Sequence, residues 1–146
     1  MKNQFFIILL VFVGSLLYTP VTAQSLSISV IENSIKKDGK YAILVSNSRY
    51  FQAAVRTGKG LKAKHSELDF QVVLIGPVVK DLAKDESLKS SIETSEKFGI
   101  RLVVCEAAMN HFELKQTDYH NYIAFTPDGF VYFLGLQESG FKTITL

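Results

Sequence analysis

The chain carries one cysteine in 146 residues, so it cannot close an internal disulfide and its core must hold the fold unaided. A second cysteine for dithiol chemistry is missing, as is a G-x-S-x-G elbow, which leaves a hydrolase or a reductase the poorest fit. Basic residues are not clustered: 16 Lys and Arg stand against 14 Asp and Glu, a net charge of +2. Nothing there points to nucleic acid or an anionic membrane surface, both of which call for basic patches. His65, His111 and His120 have no mutual metal-site spacing and read as surface or partly buried structural residues. Repeats, low-complexity tracts and long linkers are also lacking, so one domain is the expectation.

The longest apolar stretch lies at the start. Lys2, the run Phe5 to Tyr18 and the small residues Val21-Thr22-Ala23 have the order of a secretory signal peptide cut after Ala23. The run is shorter than the ~20 residues a spanning helix needs, which favours cleavage over anchoring. A periplasmic or secreted protein with no membrane attachment after cleavage is therefore expected. Residues 1–23 are read as the signal, 24–39 as an N-terminal extension and 40–146 as the folded domain. The extension is ambiguous: Ile28, Ile31 and Ile35 recur at helical spacing, whereas Ser27 to Val30 alternate like a strand.

From Lys40 onward the chain divides into alternating units. Tyr41–Val45, Phe70–Ile75 and Ile100–Cys105 are near-continuous apolar runs, and Tyr122–Phe125 and Phe141–Leu146 are shorter strand candidates. Between them lie helix-spaced segments. One runs from Arg49 to His65, started by Ser46-Asn47-Ser48 and with Gly58 on its buried face; another stops at Gly99. Thr126-Pro127 reads as an N-cap followed by proline at the first position of a helix that ends at Gly140. Apolar strands separated by helices predict a three-layer αβα fold with a mostly parallel sheet of about five strands, flavodoxin-like in class, with right-handed crossovers.

Cys105 ends the third run, where a helix begins near Glu106. Functional groups of open α/β sheets gather at the carboxyl ends of strands. The free N–H groups and positive dipole end of a helix N-terminus stabilise an anion there, and can lower a thiol from ~8.5 towards neutrality. Equally, a lone cysteine can be a small buried hydrophobe. His111 lies six positions on, roughly 120° around the helix, and is poorly placed as a base for the thiol. Glu106, Asn110 and Glu113 share a solvated face; Ala108, Met109 and Phe112 share a core stripe. The TGKG at Thr57–Gly60 lacks the phosphate-loop pattern and falls inside a helical period.

The segment Val103-Val104-Cys105-Glu106-Ala107-Ala108-Met109, the Leu74-Ile75-Gly76-Pro77 strand end, the Pro127-Asp128-Gly129 turn and the closing Gly140-Phe141 strand together resemble the DsrE/DsrF-like sulfur-relay proteins, the TusD type among them. The resemblance extends from Lys40 to Leu146 and implies a three-layer fold in trimers or hexamers. It matches Cys105 to the family's sulfur-accepting cysteine, the one site residue carried over. The implied function is carriage of sulfane sulfur as a persulfide between donor and acceptor proteins, with no metal or organic cofactor, because the thiolate is itself the nucleophile. The alternative is a non-enzymatic ligand-binding or assembly module using the strand-end crevice near Ser46, Asn47, Gly76 and Cys105.

Overall fold

The structure is a computed structural model and describes residues 26–146. The segment read as a signal peptide, with its cut after Ala23, lies outside the described residues. Two units are distinguished, residues 1–34 and residues 35–146. Of the first, the described part is the helix α1 (Ile28–Glu32), capped by the Ser27 side chain on the Val30 N–H. The helical spacing of the isoleucines thus prevails over the alternation, but α1 buries no residue: Ile28 is 78% exposed.

The second unit is a five-stranded, all-parallel sheet with helices on both faces. In chain order it comprises β1 (Lys40–Val45), α2 (Ser48–Lys64), β2 (Asp69–Leu74), α3 (Pro77–Lys84), a 3₁₀ turn (Glu86–Leu88), α4 (Lys89–Phe98), β3 (Arg101–Cys105), α5 (Glu106–His111), a second 3₁₀ turn (Gln116–Asp118), β4 (Ala124–Thr126), α6 (Gly129–Glu138) and β5 (Lys142–Thr145). The order across the sheet is β4-β3-β2-β1-β5. This is the architecture the apolar runs predict.

Strand order decides where the helices go. From β1 to β4 the chain advances across the sheet in one direction, so right-handed crossovers place α2, α3, α4 and α5 on one face. The step from β4 to β5 runs back past β1, and the same hand places α6 alone on the other face. The first face buries Phe51, Val55, Phe70, Val72, Leu74, Val79, Ile92, Leu102 and Val104; the second buries Ala42, Leu44, Val73, Phe133 and Leu136.

Local chemistry fixes most of the ends. Asn47, the middle of the polar trio, caps α2 by accepting from the Tyr50 N–H at 3.0 Å. Gly58 is buried in α2, where an added Cβ would stand 2.8 Å from Phe70 Cδ1 and 2.9 Å from Ile100 Cδ1. Gly99 ends α4 in the left-handed region, φ 65°. The TGKG stretch lies within α2, as its period requires.

Two boundaries differ from expectation. The fourth strand is Ala124–Thr126, shifted from Tyr122–Phe125, because Tyr122 is drawn out to donate its hydroxyl to the Ile100 carbonyl at 2.9 Å. Thr126-Pro127 does not start α6. Thr126 is buried as the ladder partner of Cys105, and the cap is Asp128, whose Oδ1 accepts from the N–H groups of Phe130 at 2.8 Å and Val131 at 3.2 Å. A carboxylate that takes two helix amides is a stronger start signal than a threonine held in the sheet.

Candidate functional site at the ends of β3 and β4

Cys105 closes β3, and its ladder partner Thr126 closes β4. From β3 the chain turns to α5 on one face; from β4 it turns to α6 on the other. Adjacent parallel strands whose connections leave to opposite faces open a crevice at their carboxyl ends, where open α/β sheets bind their ligands. Cys105 occupies that switch point, and it is the free cysteine of the chain.

Its sulfur is held differently from the sequence expectation. Cys105 is the N-cap residue of α5, yet its side chain makes no capping bond there. The sulfur instead accepts the N–H of Gly129, the first residue of α6, at 3.2 Å across 24 positions of sequence. The helix end that reaches the sulfur is therefore α6, brought over the crevice by the reversal of strand order. The carbonyl of Pro127 ties the same corner to α5 by accepting from the Ala107 N–H at 3.2 Å. Cys105 is 5% exposed, so the sulfur lies beneath the Pro127-Asp128-Gly129 turn.

Gly129 is what the sequence reading missed. A Cβ there would lie 2.7 Å from Ile75 Cγ2 and 3.0 Å from Cys105 Cβ, closer than side chains tolerate. A usable signal existed: a glycine opening an otherwise apolar helix costs helical stability and calls for a reason of close approach.

The other residues named from sequence are accounted for by structure. Asn47 is spent on its cap, and Ser48 donates its hydroxyl to the Asp81 carboxylate, joining α2 to α3. The Ser46 carbonyl accepts from Val78 N–H at 3.1 Å, and Gly76 turns beside it with φ 59° and ψ −143°, a conformation suited to glycine. The structure brings Ser46 and Gly76 together, while Cys105 groups with Gly129 and Ile75. His111 is exposed and stacks edge-on against Phe112; His120 Nδ1 accepts from the Tyr122 N–H at 3.3 Å. Met109 is buried and Asn110 and Glu113 are exposed, as the helical faces predict. Among the described residues no group of three His, Cys, Asp or Glu is placed to hold a metal ion. Beside this corner, the buried Tyr119 donates to the Val79 carbonyl at 2.9 Å, and burial, helped by the Asp118 charge, pushes its phenol up to about 12.

The DsrE/DsrF-like family model matches residues 39–146. The chain belongs to the DsrE/DsrF-like family. Solved structures agree in fold. A protein of unknown function from Methanobacterium thermoautotrophicum, MTH1491, superposes with a TM-score of 0.67 at 14% identity, covering 75% of this chain and 100% of its own. The ychN protein of E. coli gives 0.64 at 14% identity, over 74% of this chain and 99% of its own. A conserved protein of unknown function from Bacteroides thetaiotaomicron, BT1422, gives 0.59 at 16%, over 78% and 100%. At these identities the likeness is one of fold. No curated protein matches the chain in sequence.

Proposed function

We propose that this DsrE/DsrF-like domain carries sulfane sulfur as a persulfide on Cys105. The observation that supports the reading most is the seat of the sulfur: the switch point between β3 and β4, facing a helix N-terminal amide. In the loading step the Cys105 thiolate attacks the terminal sulfur of a persulfide or polysulfide donor. A new S–S bond forms at Cys105, the donor S–S bond breaks, and the donor thiolate leaves with the electron pair. Delivery reverses this towards an acceptor thiolate. No external oxidant is consumed, because the sulfane sulfur keeps its oxidation level throughout. Burial beneath the turn favours a slender donor such as inorganic polysulfide or a flexible persulfide tail.

The test is intact-mass measurement of the native protein after treatment with inorganic polysulfide. One or more added sulfur atoms, absent in Cys105→Ser and Cys105→Ala, are expected. Both variants keep the fold, since each replacement is small. Rapid native-state alkylation without sulfur uptake rejects the carrier role and leaves the ligand-binding or assembly module. That second reading finds less support, because the Asn47 side chain is already spent on its helix cap.

The same reading includes export and self-association. Gln24 becomes the first residue after cleavage, in a periplasmic or secreted protein; N-terminal sequencing that finds Met1 in the membrane fraction overturns this. For assembly into trimers or hexamers the support is α6, which is free of charge from Gly129 to Gln137 and exposes Phe130, Val131 and Leu134.

A further inference from the structure

We infer that Gly129 is a positioning residue for the Cys105 sulfur, setting the charge the sulfur can carry by seating the first amide of α6 upon it. The inference rests on the carrier reading for its purpose but not for its test. Three N–H groups open α6, and they are divided. Asp128 Oδ1 takes those of Phe130 and Val131, and the Gly129 N–H goes to the sulfur at 3.2 Å. The division requires α6 to begin almost in contact with β3, and only a residue without a side chain allows it. The obstacles to a Cβ are stiff: Ile75 Cγ2 belongs to a β-branched side chain, and Cys105 Cβ is fixed by the strand. Backbone strain is not the reason for glycine here, since Gly129 is not among the positive-φ residues, whereas Gly76 is.

A methyl group at 129 therefore pushes the start of α6 away and lengthens the N–H···S bond. That bond is worth more to a charged sulfur than to a neutral thiol, so its loss acts on the reactive form selectively. Arg101 stands at the opposite end of β3, His111 in the last turn of α5 and Glu138 at the far end of α6; the charged side chains at the sulfur's own corner are Asp128, turned to its own helix amides, and Glu106, which accepts from Gln116 at 2.6 Å. Neither supplies a positive charge in place of the lost amide. The thiolate and the persulfide anion share this dependence.

The experiment compares the parent with Gly129→Ala in the rate of native-state alkylation by iodoacetamide across pH. The expected result is a midpoint higher by about one pH unit in the variant, with polysulfide loading about tenfold slower near neutrality. The direction of the midpoint is the readout, because mere loosening of the corner admits water, which speeds alkylation and moves the midpoint down, not up. An unmoved midpoint in a folded Gly129→Ala protein overturns the inference. Should the variant not fold, the parent still decides. By NMR the Gly129 amide should shift as Cys105 titrates and should exchange faster in Cys105→Ala, while Phe130 and Val131 keep their protection. A Gly129 amide indifferent to both changes overturns the inference. Loss of the carrier reading is a separate result: a parent that takes up no sulfur removes that role, while a shifted alkylation midpoint in Gly129→Ala keeps Gly129 as the residue that positions the thiol.

Discussion

The sheet face under α2, α3, α4 and α5 and the face under α6 are filled by different means. The first is packed by large, fully buried side chains from strands and helices alike, Phe51, Phe70, Leu74, Ile100 and Leu102 among them. The second has a thinner cover, in which Phe133 and Leu136 of one helix meet Ala42, Leu44 and Val73. It also holds a polar group: Gln71, 5% exposed, accepts the Tyr132 hydroxyl at 2.8 Å. The difference teaches a division of labour. The well-filled face supplies the stability that a chain without disulfides needs, and the thin face leaves one helix end free to meet the sulfur.

The comparison can be broken hardest at its well-filled side. Phe70→Ala removes a buried ring beneath α2, and we expect a loss of about 3–5 kcal/mol in urea unfolding. Gly58→Ala attacks the same contact from the helix, adding a methyl group against Phe70 and Ile100; overpacking of this kind costs about 1–3 kcal/mol. A cost below that range would mean that α2 can lift from β2 freely.

A pH titration of stability sharpens the contrast. Tyr119 and Tyr122 both pack against the well-filled face, and burial is the leading cause that raises both phenols, Tyr119 to about 12. A raised folded-state value means the folded protein holds the proton more tightly. Stability is therefore full below the ordinary tyrosine value of 10.0 and declines as pH rises towards about 12. Tyr119→Phe should flatten that decline, although the Val79 carbonyl then loses the Tyr119 hydroxyl. Unfolding free energies that stay constant through this window in the parent would contradict it.

The smallest effect on folding is expected on the outside of α6. Leu134→Lys alters a side chain that is 58% exposed and should change monomer stability by no more than about 0.5 kcal/mol. Its effect belongs to association: light scattering at micromolar concentration should give a multiple of the chain mass for the parent and a lower one for the variant. A monomeric parent removes the proposed assembly.

Much of this was legible in the sequence. The strands are continuous apolar runs because a parallel sheet covered on both faces has no polar side to alternate with. Gly58 announced a close contact by its place in the helical spacing, Gly99 a helix stop, and the trio Ser46-Asn47-Ser48 a helix start, of which Asn47 is the cap. Cys105 was legible as a strand-end thiol, but not the helix that serves it. The α5 amides are next in sequence, yet the Gly129 amide arrives from 24 residues away, through a strand order that no local pattern encodes. Thr126 misled for a related reason: its pairing with Cys105 in the sheet outweighed its preference for a cap.

The reversal that carries α6 across the sheet also sets how the molecule can assemble itself. β5 pairs with β1 through Tyr41–Lys142 and its neighbours, partners about a hundred residues apart in the chain, whereas β1 and β2 meet after a single helix. Until β5 docks, the edge of β1 stays open as a template for any extended strand, and α6 is held at one end only. Closure of the sheet therefore spans far more chain than the 24 residues between Cys105 and Gly129. A chain whose β3–β4 corner has opened carries a cysteine outside the control of its helix, whether or not its last strand is docked.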